Sequence, residues 1–282
     1  MKRGKAFSCS LLNYFLLITT VSSAAVDDNR TCGQSSCGKV TNVSHPFRLK
    51  DDPQNCGDPS YELACENNIT VLSLLPGRNY HVESINYNNF TIRLVDPGIS
   101  GEDCSTLPRY SYFGTNLQQL SYDGIQEREA YFRNGSTSGT EYVTLFYNVV
   151  FLECSNPVRD DPRYVDTAPC IKEDHHVYAV FGDLAVVELR DGCRVKLFAA
   201  ASALMSPDQN CSYAEIHRTL NYGFELSWLK GACEHKCNSS MHYACSIDQT
   251  AQSSLTLTCV EEKIHGLGCY TSLLQKECGN NL

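Results

Sequence analysis

The sequence predicts a mainly β, disulfide-rich protein made of two cysteine-rich modules with minor helix. Three observations carry that prediction. Fifteen cysteines follow the first 25 residues, a density that in an oxidising compartment means cross-links. Short β-prone runs alternate apolar and polar residues with period two. Seventeen Trp and Tyr residues stand against three Met, which suits strands packed through polar-tipped aromatics.

The chain opens with Lys2, Arg3 and Lys5, then an apolar stretch from Leu11 to Val21, then Ser22-Ser23-Ala24-Ala25. This is the layout of a signal peptide over residues 1–25, and its apolar part falls short of the ~20 residues that a membrane span needs. Cys9 would leave with it. Seven Asn-x-Ser/Thr sequons, at Asn29, Asn42, Asn68, Asn89, Asn134, Asn210 and Asn238, would carry glycans on surface turns of an exported protein. No second span is expected, because the longest apolar run, Val195 to Met205, has eleven residues and contains Lys196.

Along the mature chain, Tyr80, Val82 and Ser84 alternate with polar neighbours, as do Phe90, Ile92 and Leu94, with Asn88-Asn89 between them. That predicts a hairpin, closed by a turn at Asp96-Pro97-Gly98. Residues 105–141 read as loop, most open at Asn134 to Gly139. The run Tyr142 to Leu152 is apolar on both faces, so it belongs in the middle of a sheet. A Pro- and Asp-rich connection, 156–169, leads to a β-prone segment at Val177–Leu189. Helices are expected at 195–205 and 213–221, the latter from Tyr213, Ile216 and Leu220. Towards the C-terminus periodicity fades and cysteines crowd, so cross-links are expected to hold that end. The fifteen candidates, with pairing left open, are Cys32, Cys37, Cys56, Cys65, Cys104, Cys154, Cys170, Cys193, Cys211, Cys233, Cys237, Cys245, Cys259, Cys269 and Cys278. The odd number leaves one thiol free or paired between chains.

Charge excludes some functions. Without residues 1–25 the chain keeps 20 basic against 32 acidic residues, a net −12 with His neutral. Such a chain is ill suited to nucleic acid or anionic membranes, whose phosphates need clustered Lys and Arg. Catalytic signatures are missing too. Gly135-Ser136-Thr137-Ser138-Gly139 places Thr where a nucleophile elbow needs Ser. His175-His176 beside Glu173 and Asp174 would face opposite ways on a strand. Cys233 and Cys237 with His235 and His242 imitate a zinc knuckle, but an exported chain makes disulfides of them. Asp160-Asp161 and Glu127/Glu129 say nothing of hydrolysis, since the separation of glycosidase carboxylates is a property of the fold. The expectation is no enzyme, no catalytic residue, no metal site and no cofactor.

The ordered motifs Cys32-x4-Cys37-Gly38, His45-Pro46-Phe47, Cys56-Gly57, Tyr61-Glu62-Leu63-Ala64-Cys65 and Tyr80-x-Val82-x-x-Ile85-x-Tyr87 resemble the galacturonan-binding domain of plant wall-associated receptor kinases. Leu220-x-x-Gly223-Phe224-x-Leu226-x-Trp228 before Cys233-x3-Cys237 resembles the cysteine-rich module that follows it, as in ectodomains of leaf-rust-resistance-type receptor-like kinases. Two departures stand out: His45 replaces the usual Tyr, and Ser239 to Cys245 replace a Gly-Gly-x-Cys-Gly turn. The resemblance implies a galacturonan-binding-like domain at 26–110 and an associated C-terminal module at 111–282. It further implies non-catalytic binding of cell-wall pectin at the cell surface or in the wall, by a secreted relative or by a receptor ectodomain whose membrane helix and kinase follow. A protein-interaction module, a decoy or co-receptor for receptor-like kinases or peptide ligands, is the alternative.

Residues 32–104 carry five basic and nine acidic side chains, so contact with a polyuronate would need a local basic cluster or bridging Ca²⁺. Arg48, Lys50 and Arg78 are the candidate ligand contacts, Arg through its bidentate fork. The same three could equally be surface charges paired with Asp51, Asp52 or Glu62. His45-Pro46-Phe47 reads first as a core Phe47 after an extended X-Pro step, and second as the lining of a groove.

Overall fold

The structure, a computed structural model, describes residues 32–101, 103–111, 129–133, 140–207, 210–237, 243–249, 255–261, 269–272 and 275–278. The signal segment, Asn29, Asn134, Asn238, Glu127, His242 and the 135–139 motif lie outside these. Mainly β and disulfide-rich is what the chain is.

Two small strands come first, β1 (Ser35–Cys37) and β2 (Val40–Val43), paired antiparallel. Next come β3 (Arg48–Leu49), β4 (Glu62–Glu66), β5 (Ile69–Leu75), β6 (Arg78–Asn86) and β7 (Thr91–Val95). The hairpin expected from alternation is β6–β7, with Val82 opposite Leu94 and Ile85 opposite Ile92. After it the amide of Ile99 donates to the Asp96 carbonyl, closing the expected turn. The buried Asp96 carboxylate also accepts the amides of Gly98, Arg109 and Tyr110 at 2.6–3.0 Å. That gathers residues 98–110 against the end of the sheet.

Beyond residue 111 the strands are β8 (Glu129–Arg133), β9 (Thr140–Thr144), β10 (Phe146–Cys154), β11 (Val165–Asp166), β12 (His176–Phe181) and β13 (Cys193–Ser202). β8 and β9 pair, so residues 129–133 are strand where loop was expected. β10 lies between β12 and β13 in a four-stranded sheet ordered β11-β12-β10-β13, which accounts for its two apolar faces. Val149 and Phe151 join one core, Val150 and Leu152 another. The β-prone stretch after it is strand only to Phe181 and ends in a 3-10 turn, Val186–Glu188.

The helix expected at 195–205 is β13 instead. Its Ala199-Ala200-Ala201 run favours helix locally, but antiparallel pairing with β10 from Phe146↔Ser202 to Cys154↔Cys193, interrupted once at Phe151/Leu152, outweighs that preference. The other expected helix is present as α1 (Tyr213–Tyr222). Ser212 caps it with Glu215 in a reciprocal box, the Ser212 amide donating to Glu215 Oε2 at 2.8 Å. Tyr213, Ile216 and Leu220 are buried against the four-stranded sheet.

Gly223 then turns the chain sharply at φ +92° into β14 (Phe224–Ser227), which pairs with β7. A Cβ on Gly223 would stand 2.2 Å from the Leu94 carbonyl oxygen, so only glycine permits this approach. β14 thereby completes a six-stranded sheet ordered β14-β7-β6-β5-β4-β3, antiparallel except for the β3–β4 pair. Its core holds Phe47, Leu63, Ile92, Leu94, Phe224, Leu226 and Trp228.

Helix α2 (Leu229–Lys236) follows, then the pairs β15 (Tyr243–Gln249) with β16 (Leu255–Glu261), and β17 (Cys269–Ser272) with β18 (Gln275–Cys278). The C-terminal region thus has regular hairpins where fading periodicity suggested few.

Five disulfides are described: Cys32–Cys56, Cys37–Cys65, Cys104–Cys170, Cys154–Cys193 and Cys237–Cys259. Cys233 is also disulfide-bonded. Each bridge contributes about 2–4 kcal/mol, chiefly by restricting the unfolded chain. Cys211 is the free cysteine among the described residues, half-buried, with its thiol pKa pushed up by burial and then by Glu215.

Candidate functional site: an aromatic and imidazole cleft

Four separate segments converge on one open cleft of about 430 Å³. The first is His45-Pro46, ahead of β3, joined by a cis peptide. The second is the tip of the β6–β7 hairpin, Tyr87 and Phe90. The third runs from Trp228 through Ala232 to His235 and Lys236 on α2. The fourth is Leu255-Thr256-Leu257 on β16.

Backbone bonds lock these segments together. The Trp228 amide donates to the Phe90 carbonyl at 2.8 Å, and the Leu255 amide donates to the Asn88 carbonyl at 2.8 Å. Phe90 itself sits at φ +57°, an uncommon conformation for a bulky residue, and it presents both its ring and its carbonyl to Trp228. The Tyr87 hydroxyl donates to the Ser44 carbonyl at 2.9 Å and accepts from the Ser44 amide at 2.8 Å, tying the hairpin tip to the turn that carries His45. The Cys237–Cys259 bridge joins the end of α2 to β16.

Trp228, only 2% exposed, is the floor. Phe47, Tyr87 and Phe90 stand edge-on to it at 5.3, 5.5 and 4.9 Å between ring centroids, a geometry worth about 0.5–1.5 kcal/mol per pair beyond burial. Tyr87 and Phe90 are half-buried and form the accessible wall. At the rim the imidazoles of His45 and His235 lie 4.1 Å apart with planes tilted 49°. Burial lowers the His45 pKa and the neighbouring His235 lowers it further, against the pull of Asp58. His45 also lines a second cleft of about 220 Å³, with Cys32, Ser44, Asp52, Asn55 and Gly57, so the two clefts meet at its ring. Phe47, by contrast, is core.

The sequence-derived candidates lie elsewhere. Arg48 is 5% exposed, its guanidinium donating to Glu62 Oε2 and to the Asp52 carbonyl, both at 2.6 Å. Arg78 donates to the Ser111 carbonyl at 2.6 Å. Lys50 is exposed and makes no ion pair among the described residues. Arg48 on β3 and Arg78 on β6 are three strands apart in the sheet, so the candidates form no common cluster. Asn42, Asn68 and Asn210 are exposed and Asn89 is half-buried. His175 approaches Glu153 at 3.8 Å, and no group of three metal-ligating side chains occurs among the described residues.

Tyr87, Phe90, Trp228, His235 and Lys236 were not singled out as ligand contacts from sequence. The available signal was two aromatics flanking the Asn88-Asn89 turn, which places them together at a hairpin tip.

Residues 32–96 match the family model described as wall-associated receptor kinase galacturonan-binding. Leaf rust 10 disease-resistance locus receptor-like protein kinase-like 1.2 of Arabidopsis thaliana is 32% identical over 98 residues, which cover 34% of this chain. No solved structure matches. The chain spans 15% of that relative's length, and its likeness to the wall-associated receptor kinase galacturonan-binding family lies in residues 32–96.

Proposed function

We propose that this chain binds cell-wall polysaccharide, galacturonan above all, without catalysis, and that the cleft between His45 and Lys236 is where it does so. The observation that carries the reading is the cleft's composition. Two accessible aromatic rings, Tyr87 and Phe90, offer faces for sugar stacking, and beside them His45, His235 and Lys236 offer N–H donors. This is the local basic cluster that a net-negative chain needs in order to hold a uronate. Bridging Ca²⁺ is a second route to the same contact.

The cleft uses residues from both proposed modules, 26–110 and 111–282. The first therefore supplies the family-matched half and the second supplies Trp228, α2 and β16. Export, glycans at the seven sequons, and location at the wall or cell surface complete the proposal. No helix among the described residues is long and apolar enough to cross a membrane. A glycan array of galacturonan oligomers and other wall polysaccharides, with and without Ca²⁺, tests the function: selective retention of galacturonans is expected, and silence on every polysaccharide rejects it.

One feature favours a second reading, a docking module for receptor-like kinases or peptides. Val186 and Val187 project from their 3-10 turn at 89% and 93% exposure, more apolar surface than a solvated turn needs.

A further inference from the structure

Several charged side chains of the described residues are held in ion pairs. Lys39 meets Glu83, Lys196 meets Glu173, Arg194 meets Glu153, and Arg163 meets both Asp161 and Glu188. The rim of the aromatic cleft differs. His45, His235 and Lys236 are all exposed there, and none of the three side chains makes a hydrogen bond or ion pair among the described residues. Three nitrogen-bearing side chains therefore converge on one cleft with their donors uncommitted. Two of them, the imidazoles, stand 4.1 Å apart, within the range where a proton on one ring opposes a proton on the other. An anion seated between them relieves that opposition.

We propose that His45, His235 and Lys236 form a proton-switched carboxylate site, which takes the carboxyl group of a uronate when the imidazole pair is protonated and releases it when both rings are neutral. The inference rests on the polysaccharide reading above and adds its regulation. The groups facing the pair are few. Asp58, at the start of the 3-10 turn Pro59–Tyr61, pulls a proton towards His45. Tyr87 on the hairpin tip keeps its hydroxyl committed to Ser44. Lys236 is the cation on α2, and the β16 contribution, Leu255 to Leu257, carries no charge. Without ligand, burial and His235 both disfavour the protonated His45 ring. A bound carboxylate reverses that preference, so ligand uptake and proton uptake occur together. Lys236 adds an ammonium group beside the imidazole pair and strengthens the hold on the carboxylate.

The test is titration calorimetry of the full chain with trigalacturonate and with its methyl ester, between pH 5 and 8, in a chelator that excludes Ca²⁺. Trigalacturonate is expected to bind up to about tenfold more weakly per pH unit above the pair's apparent pKa, while the ester shows a flat profile. His235→Gln should flatten the acid's profile; Lys236→Gln should weaken binding at every pH and leave the slope. Imidazole NMR provides a readout independent of ligand: removing His235 should raise the His45 pKa. Binding with a flat profile in the wild type, or an unchanged slope in His235→Gln, overturns the switch and leaves polysaccharide binding intact. Absence of binding to either sugar at any pH overturns both.

Discussion

Trp228 and Phe90 hold each other twice: the Trp228 amide donates to the Phe90 carbonyl at 2.8 Å, and the two rings meet edge to face at 4.9 Å. Their positions are 138 residues apart in sequence, so this pair fixes the hairpin tip of the family-matched region against the segment that follows α1. Trp228→Ala should cost about 3–5 kcal/mol in denaturant unfolding, as large aromatic truncations in cores do. Trp228→Phe should cost less than half as much, because the buried indole N–H has no partner and its removal relieves an unpaired donor. Equal losses would contradict the packing described.

Tyr87→Phe removes a hydroxyl that serves both polar groups of the Ser44 peptide. The expected loss is about 1–3 kcal/mol, the range for leaving buried polar groups unpaired. Chemical denaturation measures it. No loss would mean that solvent already reaches Ser44.

Gly223→Ala places a methyl group against the Leu94 carbonyl and demands a positive φ. Expression should fall, and unfolding should show at least about 1–3 kcal/mol of destabilisation. A variant as stable as the wild type would sink the tight passage from α1 to β14.

His217, buried on α1 with Nε2 3.0 Å from Thr106 Oγ1, has its pKa lowered by burial, against the opposing influence of Asp103 and Thr106. The folded chain therefore binds this proton less readily than the unfolded chain. Stability present above the unfolded value, about 6.5, is lost as pH falls through the folded one, with a slope of at most about 1.4 kcal/mol per pH unit. Thermal unfolding from pH 7 to 4.5 should show that decline, and His217→Gln should reduce it. A slope identical in the variant would assign the effect to other groups.

Local pattern was enough for several elements. Period two marked β6–β7, period 3.6 marked α1, and a doubly apolar run marked the centre of the second sheet at β10. Tertiary pairing overrides local propensity in the alanine run of β13, which is strand where helix was expected. The cleft was harder still. His45 and His235 carry no shared motif, and their proximity depends on β14 returning to pair with β7 after more than a hundred residues. His235 sits between two cysteines read as disulfide-forming, and Cys237 does bond to Cys259, but nothing in the sequence shows that the imidazole then faces His45. Arg48 drew notice as a basic residue in the matched region, but its charge is spent on Glu62.

The most direct test of the polysaccharide cleft is backbone-amide NMR of the chain during addition of trigalacturonate at pH 5. Saturable shifts concentrated at residues 45–47, 87–90, 228–236 and 255–257 are expected. Shifts centred on Lys50 and Arg78, scattered over the surface, or absent at saturating sugar would contradict it.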